Sequence, residues 1–249
     1  MSKYEQSRGN HVQQSNGYHQ IGFAMTCRSW EEYIRMFALQ ESDLSSASLV
    51  DVAAGAASFT ASALERGIDA TAVDPLYALD QQSVLQHARE ELAQSGAKIA
   101  ALKQRMDWSY YGSYERYQER REQSLAKFTA SFTDPVQKDR YIAAGLPTLP
   151  LQDDRFSLVL CSHLLFLYEQ ELDAAFHMAS ILELLRICRP GGQIRIYPLF
   201  NLAYQPYSKM EQLLTELSGT GAQISWKNTR LPFIPGSKQL LCITKALEK

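Results

Sequence analysis

The residues best placed for chemistry are two aspartates and a glycine near the start of the chain. Asp51 lies near the end of the apolar run Leu49-Val50-Asp51-Val52. Ala53-Ala54-Gly55-Ala56-Ala57-Ser58-Phe59 follows, a tight turn of small residues opening into a helix. Asp74 closes the next apolar run, 70–73, and is followed by Pro75. This is the layout of a site for an adenosine-containing cofactor. The turn brings a ligand close to bare backbone, and the second acid can accept hydrogen bonds from both ribose hydroxyls. A dinucleotide site wants G-x-G-x-x-G, because pyrophosphate must reach backbone N–H groups at a helix N-terminus. Here those positions are Ala53, Gly55 and Ser58. Two of the three glycines are missing, which weighs against NAD or FAD. S-adenosylmethionine has no phosphate to cradle and tolerates alanines if Gly55 keeps the backbone close. A plain strand–helix turn that needs one glycine is the competing reading.

The elements that would hold these residues follow from hydrophobic spacing. Ser29-Trp30-Glu31-Glu32 reads as a capping box, Ser29 as N-cap and Glu32 at N3, opening a helix to about residue 39. A buried strand over 49–52, a helix over 59–66 stopping at Gly67, a strand over 70–73 and a helix over 81–93 with Gly96 as its stop give β-α-β-α with short connections. That order marks a parallel, helix-covered sheet. Residues 97–138 then hold a mostly helical, Tyr-rich insertion before a third strand over 140–144. Strand 156–161 reads as fully buried. The helix after it, about 171–187, has Leu172, Phe176, Ala179, Leu182 and Leu185 at the spacing of one buried face. Arg189-Pro190-Gly191-Gly192 turns into strand 193–197. A helix near 209–217 and strands near 222–226 and 239–244 complete the chain. The expected organisation is a flexible arm over 1–28, rich in Ser, Gln, Asn and Gly, and one α/β domain over 29–249.

Composition removes several classes. The formal net charge is −2, with no basic block to displace the counterions of a phosphate backbone, so nucleic acid is not an expected partner. Four scattered cysteines without a C-x-x-C pair predict neither a zinc site nor a disulfide framework, and no metal is expected. No apolar run approaches the roughly 20 residues of a membrane span. The polar N-terminus has no signal-peptide core, so the expectation is a cytoplasmic protein, monomer or homodimer.

Over roughly residues 45–200 the chain resembles the class I S-adenosylmethionine-dependent methyltransferase family. Val50-Asp51-Val52-Ala53-Ala54-Gly55-Ala56-Ala57 looks like its glycine-rich first motif, with alanines at two of the glycines. Val73-Asp74-Pro75 looks like its ribose-binding acid. Leu149-Pro150-Leu151 through Phe156–His163 looks like its fourth-strand motif, and Leu184-Leu185-Arg186 through Arg189-Pro190-Gly191-Gly192 like the helix and turn before its fifth strand. The resemblance implies a Rossmann-like, doubly wound, seven-stranded, mostly parallel sheet with an antiparallel last strand, and the cofactor across the ends of strands one and four. The family often carries an Asp four residues before the Leu-Pro pair to contact the adenine. That position is Gly145 here, leaving the Gly145-Leu146 backbone to substitute. The implied contacts are Asp51, Ala53, Gly55, Ala57, Ser58, Phe59, Asp74, Pro75, Gly145, Leu146, Cys161 and Ser162.

Methyl transfer from a sulfonium is an in-line displacement with a good leaving group, so alignment and water exclusion matter more than a fixed triad. His163, just past the fourth strand, is the candidate base where the acceptor must lose a proton; packing or backbone hydrogen bonding is its competing role. His177 reads as a structural histidine. Cys161 reads first as core, with contact to the cofactor's methionine portion as its second role. Tyr110, Tyr114 and Tyr117 fall at i, i+4 and i+7, a helical stripe that forms either a substrate lid or plain packing. Residues 18–28 could fold over the cofactor with Arg28 near its carboxylate. The sequence therefore predicts an S-adenosylmethionine-dependent methyltransferase acting on a small molecule. Its rivals are a cofactor-binding regulator without catalysis and an NAD-dependent oxidoreductase.

Overall fold

A computed structural model describes residues 23–101, 103–104 and 107–247. In chain order the elements are α1 (Trp30–Met36), α2 (Glu41–Leu44), β1 (Ser48–Val52), α3 (Phe59–Glu65), β2 (Asp69–Val73), α4 (Gln81–Ala101), α5 (Tyr114–Thr133), β3 (Tyr141–Ile142), β4 (Phe156–Ser162), α6 (Ala174–Ile187), β5 (Cys188–Tyr197), α7 (Met210–Ser218), β6 (Gln223–Asn228) and β7 (Gln239–Thr244). They build one seven-stranded sheet in the order β3-β2-β1-β4-β5-β7-β6. β1 pairs in parallel with β2 and β4, and only β7 runs against its neighbours. Strand order therefore reverses direction at β1 and β4, and in open α/β sheets ligands bind outside the carboxyl ends of the strands at such a reversal.

Alternation along the central strands sorts side chains between two cores. Val50, Val52, Val159 and Cys161 point to the side covered by α6 and α7. Leu49, Leu158 and Leu160 point to the side covered by α1 and α3, among Tyr33, Met36, Phe37 and Phe59. Asp51 and Ser162 share the parity of this second set. A carboxylate near the end of β1 and a hydroxyl at the end of β4 thus reach the α1 side of the sheet together.

Three expectations shift. The helix over 81–93 runs on through Gly96 to Ala101. Gly96 is a close-approach position, where a Cβ would lie 2.6 Å from the Gln118 amide nitrogen on α5 and where the Gly96 carbonyl accepts from the Tyr114 hydroxyl at 3.2 Å. On α6 the buried residues are His177, Ser180, Ile181, Leu184, Leu185 and Ile187, so Leu185 faces the core as expected while Leu182 is 45% exposed. Polar His177 and Ser180 occupy core-facing positions, which displaces the apparent apolar stripe. His177 is satisfied there, accepting from the Phe166 N–H at 3.1 Å and lying 2.6 Å from the Asp173 carbonyl. Finally, of the arm expected over 1–28, residues 1–22 lie outside the described residues. Residues 23–28 have no regular secondary structure, with Met25, Cys27 and Arg28 buried.

Candidate active site

The turn after β1 is held by its own backbone and by the end of β2. Ala53 and Gly55 both adopt left-handed conformations, φ +60° and +55°. For alanine this is sparsely populated space, maintained only where the surroundings impose it, and such strain gathers at functional sites. The Gly55 N–H donates to Asp74 Oδ2 at 2.9 Å, and the Gly55 carbonyl accepts from the Tyr77 hydroxyl at 2.6 Å. Asp74 Oδ1 accepts from the Leu76 N–H at 3.0 Å. Each Asp74 oxygen keeps a second lone pair for another donor.

At the end of β4 the chain again turns through a left-handed residue, His163 at φ +52°. Its N–H donates to the Tyr197 carbonyl at 2.8 Å, and its Nδ1 lies 2.9 Å from Ser162 Oγ. The ring packs edge-on to Tyr197 and Phe233. Burial, then the Arg28 and Arg121 charges, hold the imidazole well below the usual histidine value, so it is neutral at pH 7.

Residues 23–28 pass directly over this crevice. Ala24 N–H donates to the Tyr168 hydroxyl at 2.9 Å, Met25 lies against Gly55, and the Arg28 carbonyl accepts the Ser58 N–H at 2.9 Å. Arg28 is 8% exposed, its guanidinium 4.8 Å from the centre of the Phe233 ring. Asp51, 1% exposed, lies beneath. Neither Asp51 oxygen completes a hydrogen bond of good geometry, and Arg28 Nε and His163 Nε2 are likewise without a partner among the described residues. Burial pushes the Asp51 carboxyl up to about 8; the Tyr33 hydroxyl pulls it down, Asp74 raises it and Arg28 lowers it. A buried polar group without a partner is destabilising. Arg28 Nη1 donates to Thr26 Oγ1, which leaves Nε as its unmatched atom; Arg28 and His163 both lie against the Phe233 ring, and the Arg28 charge acts on both Asp51 and His163.

The remaining predicted contacts divide. Gly145 lies beside Pro75, 3.6 Å from a built Cβ to that ring, so the turns after β2 and β3 border one side of the crevice. Leu146 packs against the core. Cys161 is turned by strand alternation into the opposite core, where burial pushes its thiol up to about 12; only its backbone faces the crevice. Ala57 and Phe59 are core residues, Phe59 stacking on Trp30 at 5.0 Å and on Tyr33 at 4.5 Å. Ser58 is occupied by the Arg28 carbonyl and by Ser124 Oγ at 2.8 Å.

The tyrosine stripe is not one helix face. Gly112 (φ +84°) and the N-cap Ser113 start α5 at Tyr114, leaving Tyr110 in the preceding turn. The guanidiniums of Arg35 and Arg120 both lie over its ring, at 5.1 and 5.0 Å from its centre. Tyr114 and Tyr117 stack on each other and pack on Trp108. The part of the insertion over the Gly55 turn is further along α5, where Leu125 and Phe128 join Met25, Cys27, Ala54 and Ala56 in one cluster. Spacing could not reveal Arg121, also on α5, whose buried guanidinium pairs with Glu32 at 2.6 Å and donates to the Cys27 carbonyl at 2.5 Å.

Strand order β3-β2-β1-β4-β5-β7-β6 with β7 reversed gives the chain a Rossmann-like, mostly parallel seven-stranded α/β fold. It is 30% identical over 219 residues to the uncharacterized protein MJ0045 of Methanocaldococcus jannaschii, a match spanning 88% of this chain and 94% of that one, and it belongs to that protein's family. No protein-family model matches. Among solved structures it is similar to a SAM-dependent methyltransferase of Methanosarcina mazei, with 13% identity, TM-score 0.47 and coverage of 84% of this chain and 95% of the other. It is also similar to the 1,6-didemethyltoxoflavin-N1-methyltransferase of Burkholderia thailandensis, with 16% identity, TM-score 0.44 and coverage of 87% and 80%.

Proposed function

We propose that the protein binds S-adenosylmethionine at the ends of β1 and β4 and transfers its methyl group to a small-molecule acceptor. The observation that carries this reading is the convergence of Arg28, Asp51 and His163 with unmatched polar atoms at the strand-order reversal. The donor set fits an amino-acid-bearing adenosyl ligand. Arg28 would take a carboxylate, Asp51 an ammonium, the free lone pairs of Asp74 the ribose hydroxyls, and the backbone of Ala53–Gly55 the atoms between. When bound, this cofactor supplies an electrophilic methyl group on a sulfonium.

The chain's own part is to bind, orient and keep water out. Residues 23–28, with Leu125 and Phe128 behind them, form the cover, and Arg121 ties that cover to α1 through Glu32 and Cys27. Tyr110, Tyr114 and Tyr117 act in this reading as the brace of the insertion. With Nδ1–H donated to Ser162 Oγ, neutral His163 keeps a lone pair on Nε2 and can accept a proton from an acceptor hydroxyl or protonated amine.

Calorimetry with S-adenosylhomocysteine, S-adenosylmethionine and NAD tests the reading. The adenosyl ligands should bind, NAD should not, and Asp51→Asn and Arg28→Gln should each weaken binding by about tenfold or more. NAD binding alone would overturn it. A non-catalytic binder is the second reading, favoured by the closed cover over Asp51. Labelled donor incubated with cell extract decides between them, since transfer into any fraction requires an enzyme.

A further inference from the structure

The mechanism leaves unused a groove on the outer side of α1. Two adjoining hollows of ≈ 470 and ≈ 430 Å³ share Glu31 and Arg120 as lining residues, so they form one continuous trough. Its cations are Arg35, Arg66, Arg120, Lys127 and Arg230, against the single lining carboxylate Glu31. These side chains come from α1, the end of α3, α5 and the loop before β7, which is why no basic run exists in the sequence.

The charge is least balanced around Tyr110. Arg35 and Arg120 lie on the same ring, and neither has a carboxylate partner among the described residues, whereas Lys127 is paired with Glu65 at 2.6 Å. Among the described residues the buried Tyr110 hydroxyl has no hydrogen-bond partner. Arg230 is fixed beside them, its guanidinium donating to the Ile34 and Leu39 carbonyls at 3.0 and 2.8 Å. Gathering like charges without a counter-charge is unfavourable in the free protein, and an oxyanion between them reverses the sign of that interaction. We propose that this trough is a second binding site, taking a small phosphate-bearing molecule whose phosphate oxygens are held by Arg35, Arg120 and Arg230 with the Tyr110 hydroxyl as a further donor. A polynucleotide is the weaker fit. The formal net charge of the whole chain is −2, so its surface outside this basic trough is more negative still and would repel a long polyanion.

The probe is inorganic pyrophosphate, titrated into the full chain by calorimetry at low salt, with and without S-adenosylhomocysteine. The expected result is saturable binding that weakens by about tenfold or more in Arg35→Gln/Arg120→Gln, falls with added salt, and is unchanged in Asp51→Asn. The double variant should keep its melting temperature and its affinity for S-adenosylhomocysteine, which separates this site from the cofactor crevice and from a folding defect. Three results would each overturn the proposal. They are no saturable binding, binding indifferent to the double substitution, or a 20-nucleotide RNA binding more tightly than pyrophosphate with the same dependence on Arg35 and Arg120.

Discussion

Arg28 and Glu32 stand four residues apart, on either side of the α1 N-cap Ser29; both are buried, and their surroundings could hardly differ more. Glu32 Oε2 accepts from the Ser29 N–H at 2.7 Å and from Arg121 at 2.9 Å; Oε1 accepts from Arg121 at 2.6 Å and from the Tyr111 hydroxyl at 2.5 Å. Burial alone would raise this carboxyl, but Arg121, the Ser29 N–H and the Tyr111 hydroxyl together bring it below the usual glutamate value. Every lone pair is matched, and the cluster clamps α1, α5 and residues 23–28 together. Arg28, by contrast, donates through Nη1 to Thr26 Oγ1 and lies over Phe233, with Nε unmatched, as are both Asp51 oxygens and His163 Nε2. A fold stabilises itself with the first arrangement and gains nothing from the second unless a ligand completes it.

The largest effect expected from this contrast is on folding. Arg121→Met leaves the Glu32 charge buried and alone and should destabilise the protein by about 3–5 kcal/mol in urea denaturation. Glu32→Leu/Arg121→Met should recover much of that loss, because an apolar pair leaves no charge stranded. Since the Glu32 carboxyl is depressed, its contribution is complete above the ordinary value of 4.5 and is lost as pH falls through the lower folded value. Acid unfolding of the wild type should therefore lose a component that the double variant lacks. A double variant as unstable as the single one would mean that packing, not charge, holds the clamp.

Catalysis should be next in size. His163→Ala is expected to reduce methyl transfer by roughly 10²–10⁴, the usual range for a positioned base, while leaving affinity for S-adenosylhomocysteine unchanged. A parallel loss of both would assign His163 to packing on Tyr197 and Phe233. Arg28→Gln reverses the pattern. It should weaken the same ligand by about tenfold or more through its carboxylate, with a smaller change in melting temperature than Arg121→Met, because among the described residues Arg28 makes no ion pair of the kind Arg121 makes with Glu32.

How much of this contrast could be read beforehand depended on sequence distance. The sheet and its connections are local patterns, so strand and helix periodicity, the Gly67 stop and the small-residue turn located them. The capping role of Glu32 is equally local, three residues from Ser29. Its partner Arg121 is 89 residues away inside an alternating charge run that reads as a solvated face. Gly96 looked like a stop because a glycine facing a neighbouring helix, here the Gln118 amide and Tyr114 hydroxyl of α5, and one that ends a helix are the same letter. On α6 the periodicity was present but carried by His177 and Ser180, which a hydrophobic pattern does not count. Asp51, Asp74 and His163 could be singled out as candidate site positions. Which of their atoms lack partners is a property of packing and could not be.

The smallest effect separates the two clusters most sharply. Burial raises the Asp51 carboxyl from 3.8 to about 8. The folded chain thus favours its protonated form. That contribution is complete below the unfolded value and is lost as pH rises through about 8. Asp51→Asn supplies a permanently neutral group of similar size. The substituted protein should overtake the wild type as pH rises from 4 to 8 and end more stable by about 1 kcal/mol, roughly 2–4 °C in Tm for a chain of this length. Saturating S-adenosylhomocysteine should invert the order, because an ammonium beside Asp51 favours the ionised carboxyl that the free protein disfavours. Its affinity for the wild type should therefore climb toward pH 8 and be flat for Asp51→Asn. A residue that destabilises the free protein at the pH where it improves binding is held by its ligand. If Asp51→Asn were instead destabilising at every pH, Asp51 would belong with Glu32 as a structural charge, and the crevice would lose its anchor.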